Sequence, residues 1–329
     1  MKIPFLTLCL VVCSTSLFGQ LCQKYRQQSE NLYNQGKYTE ALQKFQGAAQ
    51  VGNAKECTDL PSWIAKCNAK INASSATKTK PESPKKKPET SKPTEESWNP
   101  SSYPTPSVAE PEMVEVAGGT YSMGSNDKEA YDFEKPVHSV TLTGFAIGKF
   151  EVTQAQWRWV MGSNWSELNF KDCDNCPVEN VNWNDIQAFL KKLNEKTGKS
   201  YRLPTEEEWE FAARGGNKSN GYKYSGSNSI GQVAWYFDNS NSKTHPVGRK
   251  KPNELGLYDM TGNVWEWCSD WYKGYVGSVG VTDRTGSNRV RRGGSWNFYS
   301  VLCRATYRGD GAPTDRHFNL GFRVCYSLQ

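Results

Sequence analysis

Two groups of residues in this 329-residue chain have the types and spacing to do chemistry: the pair Cys173-Asp-Asn-Cys176, and a lone Cys303 shortly after Arg292-Gly293-Gly294-Ser295-Trp296. A Cys-x-x-Cys pair can exchange disulfides, hold a metal or close a loop. Exchange needs a preceding strand to build a βαβ unit, and zinc needs a second pair of the same kind. The sequence offers neither, so the pair reads as a disulfide or as two buried thiols closing a loop. Cys303, taken alone, reads as a packed or disulfide-bonded core cysteine. The three histidines, His138, His245 and His317, include no two at a ligand spacing such as i, i+4. Each reads as a surface or hydrogen-bonded side chain.

Charge excludes one class of partner. Residues 1–110 hold 14 of the 40 Lys+Arg and 9 of the 34 Asp+Glu, so the remaining 26 and 25 leave the longer C-terminal part at only +1. No electrostatic footprint for nucleic acid remains there. With 36% hydrophobic and 22% charged residues the chain is not a multi-span membrane protein. Residues 1–19 carry Lys2 and then a short apolar run over residues 5–13, which reads as a secretory signal peptide because it is too short to span a bilayer. A lipoprotein anchor would need a small residue before the modified cysteine, whereas Leu8, Val12 and Leu21 precede Cys9, Cys13 and Cys22. The expected product is exported to the periplasm, the cell surface or the medium. Its eight remaining cysteines permit disulfides without fixing their connectivity.

The elements that must position these residues fall into three segments. Residues 20–72 read as a small helical unit: Gly36 separates two helical patterns, and Ala41, Leu42, Phe45 and Ala49 recur at helix spacing. The phrase resembles the turn of a tetratricopeptide helical hairpin, which a Cys57–Cys67 bond would cap. Residues 73–110, with six Lys, five Glu and many Pro, Ser and Thr, read as a disordered linker, too polar to offset the entropy of ordering it. Residues 111–329 read as one α+β domain, where ten of the twelve tryptophans lie. Thr153 is expected to cap a helix over about residues 154–161. Asn184 is expected to cap a second that carries Ile186, Phe189, Leu190 and Leu193 and ends at Gly198. Thr205 opens a third through a capping box with Glu208. The rest is short extended runs and loops.

Four phrases in this segment occur in order: Phe150-Glu151-Val152-Thr153-Gln154, Tyr201-Arg202-Leu203-Pro204-Thr205-Glu206-Glu207-Glu208-Trp209-Glu210, Gly256-Leu257-Tyr258-Asp259-Met260-Thr261-Gly262-Asn263-Val264-Trp265-Glu266-Trp267 and Arg292-Gly293-Gly294-Ser295-Trp296, closed by Asn319-Leu320-Gly321-Phe322-Arg323. Together they resemble the formylglycine-generating enzyme (sulfatase-modifying factor) family over residues 111–329. The resemblance implies a loop-rich variant of the C-type lectin fold. Members with the enzyme activity oxidise a sulfatase cysteine using O₂ and copper(I) held by two thiolates, ligands whose softness suits that ion. Here Phe298 stands where the first thiolate is expected. Cys303 matches the second when counted from Ser295, but neither when counted back from the Arg304 and Arg308 pair. The two-thiolate site is incomplete, and copper is not expected. The iron-dependent members use a histidine triad on an added helical domain, which this chain does not match.

The resemblance also implies a structural calcium held by the side chains of Asp259 and Glu266 and the carbonyls of Gly262 and Val264, hard oxygens of the kind that ion takes. It further implies a substrate groove, lined here by Trp296, Asn297, Phe298, Tyr299, Arg304, Arg308, Asp315, Arg316 and Asn319, residue types suited to adaptable recognition of a protein or peptide ligand. Trp265, Trp267 and Trp296 read as core. The preferred expectation is an exported binding or scaffold module stabilised by calcium, its oligomeric state left open. The alternatives are a divergent oxidase using Cys303, with Ser295 as a further candidate, and a binding protein diversified by a retroelement over residues 289–325.

Overall fold

The computed structural model describes residues 104–165, 167–276 and 286–328, together with 27, 29–37, 41, 66 and 67. The expected signal peptide, most of the helical unit and the linker up to residue 103 lie outside the described residues. Two compact units divide the chain, Met1–Thr94 and Glu95–Gln329. In the first, a helical stretch over residues 29–34 stops at Gly36, whose φ of +76° carries the turn. The repeat-like hairpin as a whole falls outside the described residues. Cys67 is a buried free thiol, and Cys57, its expected partner, also lies outside them.

The second unit is built on three small sheets. Strands β1 (Met113–Val116), β4 (Phe145–Gly148) and β9 (Cys325–Ser327) form one, in the order β1-β4-β9. A hairpin pairs β2 (Gly119–Met123) with β3 (His138–Leu142). The third sheet runs β7-β6-β5-β8, from Arg308–Gly311, Arg289–Arg292, Trp265–Trp271 and Leu320–Gly321, with β5 and β8 parallel and the other pairs antiparallel. Helices α1 (Gln154–Met161), α2 (Trp183–Thr197) and α3 (Glu206–Ala213) pack around them.

Each helix starts where a short polar side chain can take up a free backbone N–H. Thr153 and Thr205 accept from the N–H groups of Gln156 and Glu208, and both glutamine and glutamate bond back, completing capping boxes. The cap of α2 is Asn182, two residues before the expected Asn184; its Oδ1 accepts from Asp185 N–H at 2.8 Å and Asp185 returns the bond. Both asparagines satisfy the residue preference, but only Asn182 has an acidic residue at the reciprocal position. Residues 104–110, read as linker from composition, are laid against the domain: Ser107 O accepts from Gln156 Nε2 and Glu110 accepts from Lys199 and Tyr201.

Two apolar clusters fill the interior. One gathers Trp157, Ile186, Phe189 and Leu193 of α1 and α2 against Trp265, Trp267 and Phe322. The other packs Trp209 and Phe211 of α3 on Phe145, Ile147 and Val290. The tryptophans read as core are core: Trp265 and Trp267 are fully buried and Trp296 is 8% exposed. Because strand side chains alternate, Glu266 points away from its two tryptophan neighbours, and Trp209 Nε1 donates to it at 2.6 Å. The loops are tied by buried forked ion pairs. Arg304 pairs with Glu134, Arg308 with Glu206 and Arg323 with Glu266, each through two N–H···O bonds of 2.6–2.8 Å.

Candidate functional site

The segment after β6 turns sharply at Gly293 and Gly294, both at positive φ. A Cβ on Gly294 would lie 2.6 Å from Cys303 Sγ, so glycine is what lets that thiol pack beneath the turn. Cys303 is fully buried, and burial pushes its pKa up to about 12. The polar neighbours of its Sγ are two backbone carbonyls, Ser295 O at 3.9 Å and Phe298 O at 3.8 Å. Phe298 sits edge-on to Trp265 with ring centres 5.3 Å apart. The other described thiols of the domain, Cys268 and Cys325, lie in the second apolar cluster. Cys173 and Cys176 are joined as a disulfide that closes the loop before Val178.

Of the expected groove residues the structure brings one set together. Ser295 Oγ donates to Asn297 Oδ1 at 2.8 Å, and Asn319 Nδ2 donates to both. Trp296 lies beside them, between Phe170 and Phe318, and the Tyr299 ring meets Phe237 at a tilt, with centres 4.2 Å apart. Phe237 and Phe318 are exposed. Arg304 and Arg308 do not line a groove: each is 2% exposed and held by its carboxylate, as a guanidinium removed from water requires. Asp315 turns back to accept the Ala312 N–H, and Arg316 forks onto Asp185 at the α2 N-terminus.

At the expected calcium loop, Asp259 and Asn263 adopt positive φ, as does Gly262. A Cβ on Gly262 would lie 2.2 Å from Trp235 O, so no side chain is admitted there. Asp259 is buried; its Oδ2 accepts the Gly248 N–H while Oδ1 has no partner among the described residues. Burial pushes its pKa up to about 6. Glu151 is also buried here, accepting from Asn263 and Val264. Burial, and then the charges of Asp259 and Glu266, raise its pKa. Three carboxylates thus face one guanidinium, Arg323. The orphaned Asp259 oxygen is of the kind a hard cation takes, but Lys250 as well as Arg323 offsets its charge, Glu266 is engaged by Arg323 and Trp209, and among the described residues no three such side chains are gathered to hold a metal.

Sequence reasoning missed several members of this surface. Phe170 and Phe237 come from loops far from Ser295 in sequence, and only the aromatic run at residues 235–237, of which Phe237 is exposed, hinted at them. Glu179 was also missed. It is fully buried, its Oε1 accepts the N–H groups of Asn169 and Phe170, and its Oε2 has no partner among the described residues. Burial pushes its pKa up to about 7 against those two bonds.

The chain is 35% identical to the chaperone protein LppX of Paenibacillus barcinonensis over 268 residues, covering 66% of this chain and 89% of that protein. It is 32% identical to a formylglycine-generating enzyme of Streptomyces coelicolor, covering 64% and 88%. Among solved structures, Treponema denticola variable protein 1 superposes with a TM-score of 0.59 at 35% identity, over 66% of this chain and 95% of that one. PvdO from Pseudomonas aeruginosa gives 0.57 at 29% identity, over 66% and 95%. The mixed α+β architecture is therefore the loop-rich variant of the C-type lectin fold. Residues 100–328 match the sulfatase-modifying factor enzyme 1-like domain, and the chain belongs to that family.

Proposed function

We propose that this protein is an exported family member that binds a protein or peptide and does not make formylglycine. The observation that carries the reading is that Cys303 is sealed beneath Gly294, where burial raises its pKa, in a segment whose resemblance to the enzymes puts Phe298 where the first copper thiolate is expected. A Cu(I) site needs ionised, accessible sulfur, which burial opposes. The exposed rings of Phe237 and Phe318, with Tyr299 and Trp296 beside them, supply rigid contact area over the buried Ser295–Asn297–Asn319 network. That a relative is named a chaperone and a neighbour a variable protein accords with protein binding. The Cys173–Cys176 disulfide accords with an oxidising compartment, and among the described residues no helix is long and apolar enough to cross a membrane.

Calcium is part of the reading. Asp259 and the carbonyls of Gly262 and Val264 would hold it, with Glu266 shared between the ion and Arg323; its contribution would be to rigidify the loop and offset buried negative charge. Two measurements test the proposal. A Cys-x-Pro-x-Arg peptide incubated with the protein, copper and O₂ is expected to keep its thiol by mass spectrometry, and conversion to the aldehyde would overturn the reading in favour of an oxidase. Elemental analysis is expected to find calcium, and chelation to lower the melting temperature; an unchanged melt with no calcium removes the ion but not the binding role.

A further inference from the structure

The sealed carboxylate of Glu179 holds part of the aromatic surface in place. Its chain neighbours are fixed to the core: the Val178 N–H donates to Val152 O at 2.9 Å, and the Asn180 N–H to His317 O and Leu320 O at 3.1 Å. From between them Glu179 Oε1 reaches the loop before the disulfide, accepting the Asn169 N–H at 2.6 Å and the Phe170 N–H at 2.9 Å. Phe170 O accepts from Gln154 Nε2 at 2.8 Å, and the Phe170 ring meets Trp296 edge-on with centres 5.5 Å apart. Trp296 in turn packs on the exposed Phe318. A continuous path therefore runs from the carboxylate, through the backbone it grips, to the aromatic surface.

That path starts at a carboxyl whose charge its surroundings do not balance. Glu179 is fully buried, its Oε2 has no partner, and no ion pair to it is formed among the described residues. The surrounding segments carry Glu167, Lys171, Asp172 and Asp174 on the loop, Glu151 and Arg158 before and within α1, Asp185 in α2, and Arg316 and His317 before β8. Arg158 is engaged by Asp174 and Arg316 by Asp185. None of these groups is among the causes that set the Glu179 pKa: burial raises it, and the Phe170 and Asn169 N–H groups lower it. An unpaired buried carboxylate is costly until water reaches it. The core side of the site is closed by the backbone bonds of Val178 and Asn180, whereas Asn169, Lys171 and Asp172 are exposed, so the loop is the wall that can move.

We propose that Glu179 regulates the recognition surface by pH: neutral, it stays sealed and holds Phe170 against Trp296; ionised, it opens residues 169–172 to water and withdraws Phe170 from that contact. Leu168, in the first apolar cluster, and the Cys173–Cys176 disulfide bound the segment that moves. The sign follows from the raised pKa. The closed form binds the extra proton, so the surface is complete in mildly acidic solution and loses Phe170 as the pH rises through about 7. The inference rests on the binding role proposed above and names its control.

The test uses the full chain and needs no ligand. Hydrogen–deuterium exchange is read by mass spectrometry at about pH 5.5 and about pH 8.5, corrected for the intrinsic pH dependence of exchange. Protection of the amides of residues 169–172 is expected to fall at least ~10-fold at the higher pH, while the amides of α2 keep theirs. Glu179→Gln, which retains an acceptor but cannot ionise, should show the same protection of residues 169–172 at both values. Tryptophan emission reports the other end of the path: the parent should change with a midpoint near pH 7, and both Trp296→Phe and Glu179→Gln should lose that change. Equal protection at the two pH values, a response that survives Glu179→Gln, or an equal loss in α2 overturns the inference. Opening of the loop with an emission change that survives Trp296→Phe also overturns it, since Phe170 would then move without altering the surface. Each of these failures leaves the binding role standing, because that role is decided by the formylglycine assay above.

Discussion

Arg292 and Arg291 are neighbours on β6 that face opposite sides of one sheet. Arg292 is fully buried: it pairs with Glu210, lies 3.4 Å from Glu206 and donates to Tyr307 O at 2.6 Å. Glu206 also takes the fork of Arg308, and Glu210 also accepts from Arg214 and from the Gly124 N–H. Arg291, one residue away, has glycine and tryptophan beside it and no carboxylate at ion-pair distance among the described residues. A guanidinium taken fully out of water must be matched closely or the fold is penalised. One left partly wet can persist unmatched at modest cost. The inner face, that of Arg292, is therefore committed to ion pairing, while on the outer face Arg289 and Arg291 pack against tryptophan rings.

The largest expected effect comes from breaking the inner face. Glu210→Ala leaves Arg292 and the Gly124 N–H without their acceptor and should destabilise by about 3–5 kcal/mol, the usual cost of removing one partner of a buried pair. Thermal unfolding should show a drop of roughly 10 °C. A loss below about 1 kcal/mol would mean the network is not what holds these loops.

A smaller, pH-dependent effect belongs to Glu179. Unfolded, its carboxyl ionises near 4.5; folded, near 7. Folding therefore takes up a proton between those values, so the stabilisation from this group is complete below pH 4.5 and is lost as the pH rises through 7. Glu179→Gln keeps an acceptor for Asn169 and Phe170 but cannot ionise. It should match the parent near pH 4 and exceed it near pH 8, by on the order of 2 kcal/mol. Denaturant unfolding at the two pH values measures the difference, and parallel pH profiles would refute the assignment.

The smallest effect on stability should come from the outer face. Arg291→Gln removes no ion pair, so its unfolding free energy should stay within about 0.5 kcal/mol of the parent. The contrast with Glu210→Ala, measured in the same buffer, is the sharpest form of the comparison. Equal losses from the two substitutions would erase the distinction between the faces.

How far this division was legible in the sequence varied with the range of the interaction. Thr153 and Thr205 could be recognised as caps because the acceptor and the N–H it serves are three residues apart. The cap of α2 was placed two residues late because Asn182 and Asn184 look alike until the Asp185 side chain is seen to bond back. The partners of the buried arginines were not legible: Glu134 and Arg304 are 170 residues apart, and nothing local distinguishes Arg304 from Arg291. Arg304 and Arg308 were accordingly assigned to a groove that the structure denies them. The ordered phrases imply that Phe298 stands where a thiolate is expected, but the sealing of Cys303 beneath Gly294 required the fold.

Residues 320–327 supply a strand to two different sheets. β8 completes the sheet that holds Trp265 and Glu266, and β9 adds to β4, while Arg323 between them joins Glu266 to the carbonyls of Gly148 and Tyr258. Pairings of this kind span most of the domain and are slow to form. Since these eight residues follow every other described element in the chain, both sheets stay incomplete during synthesis until they have been delivered.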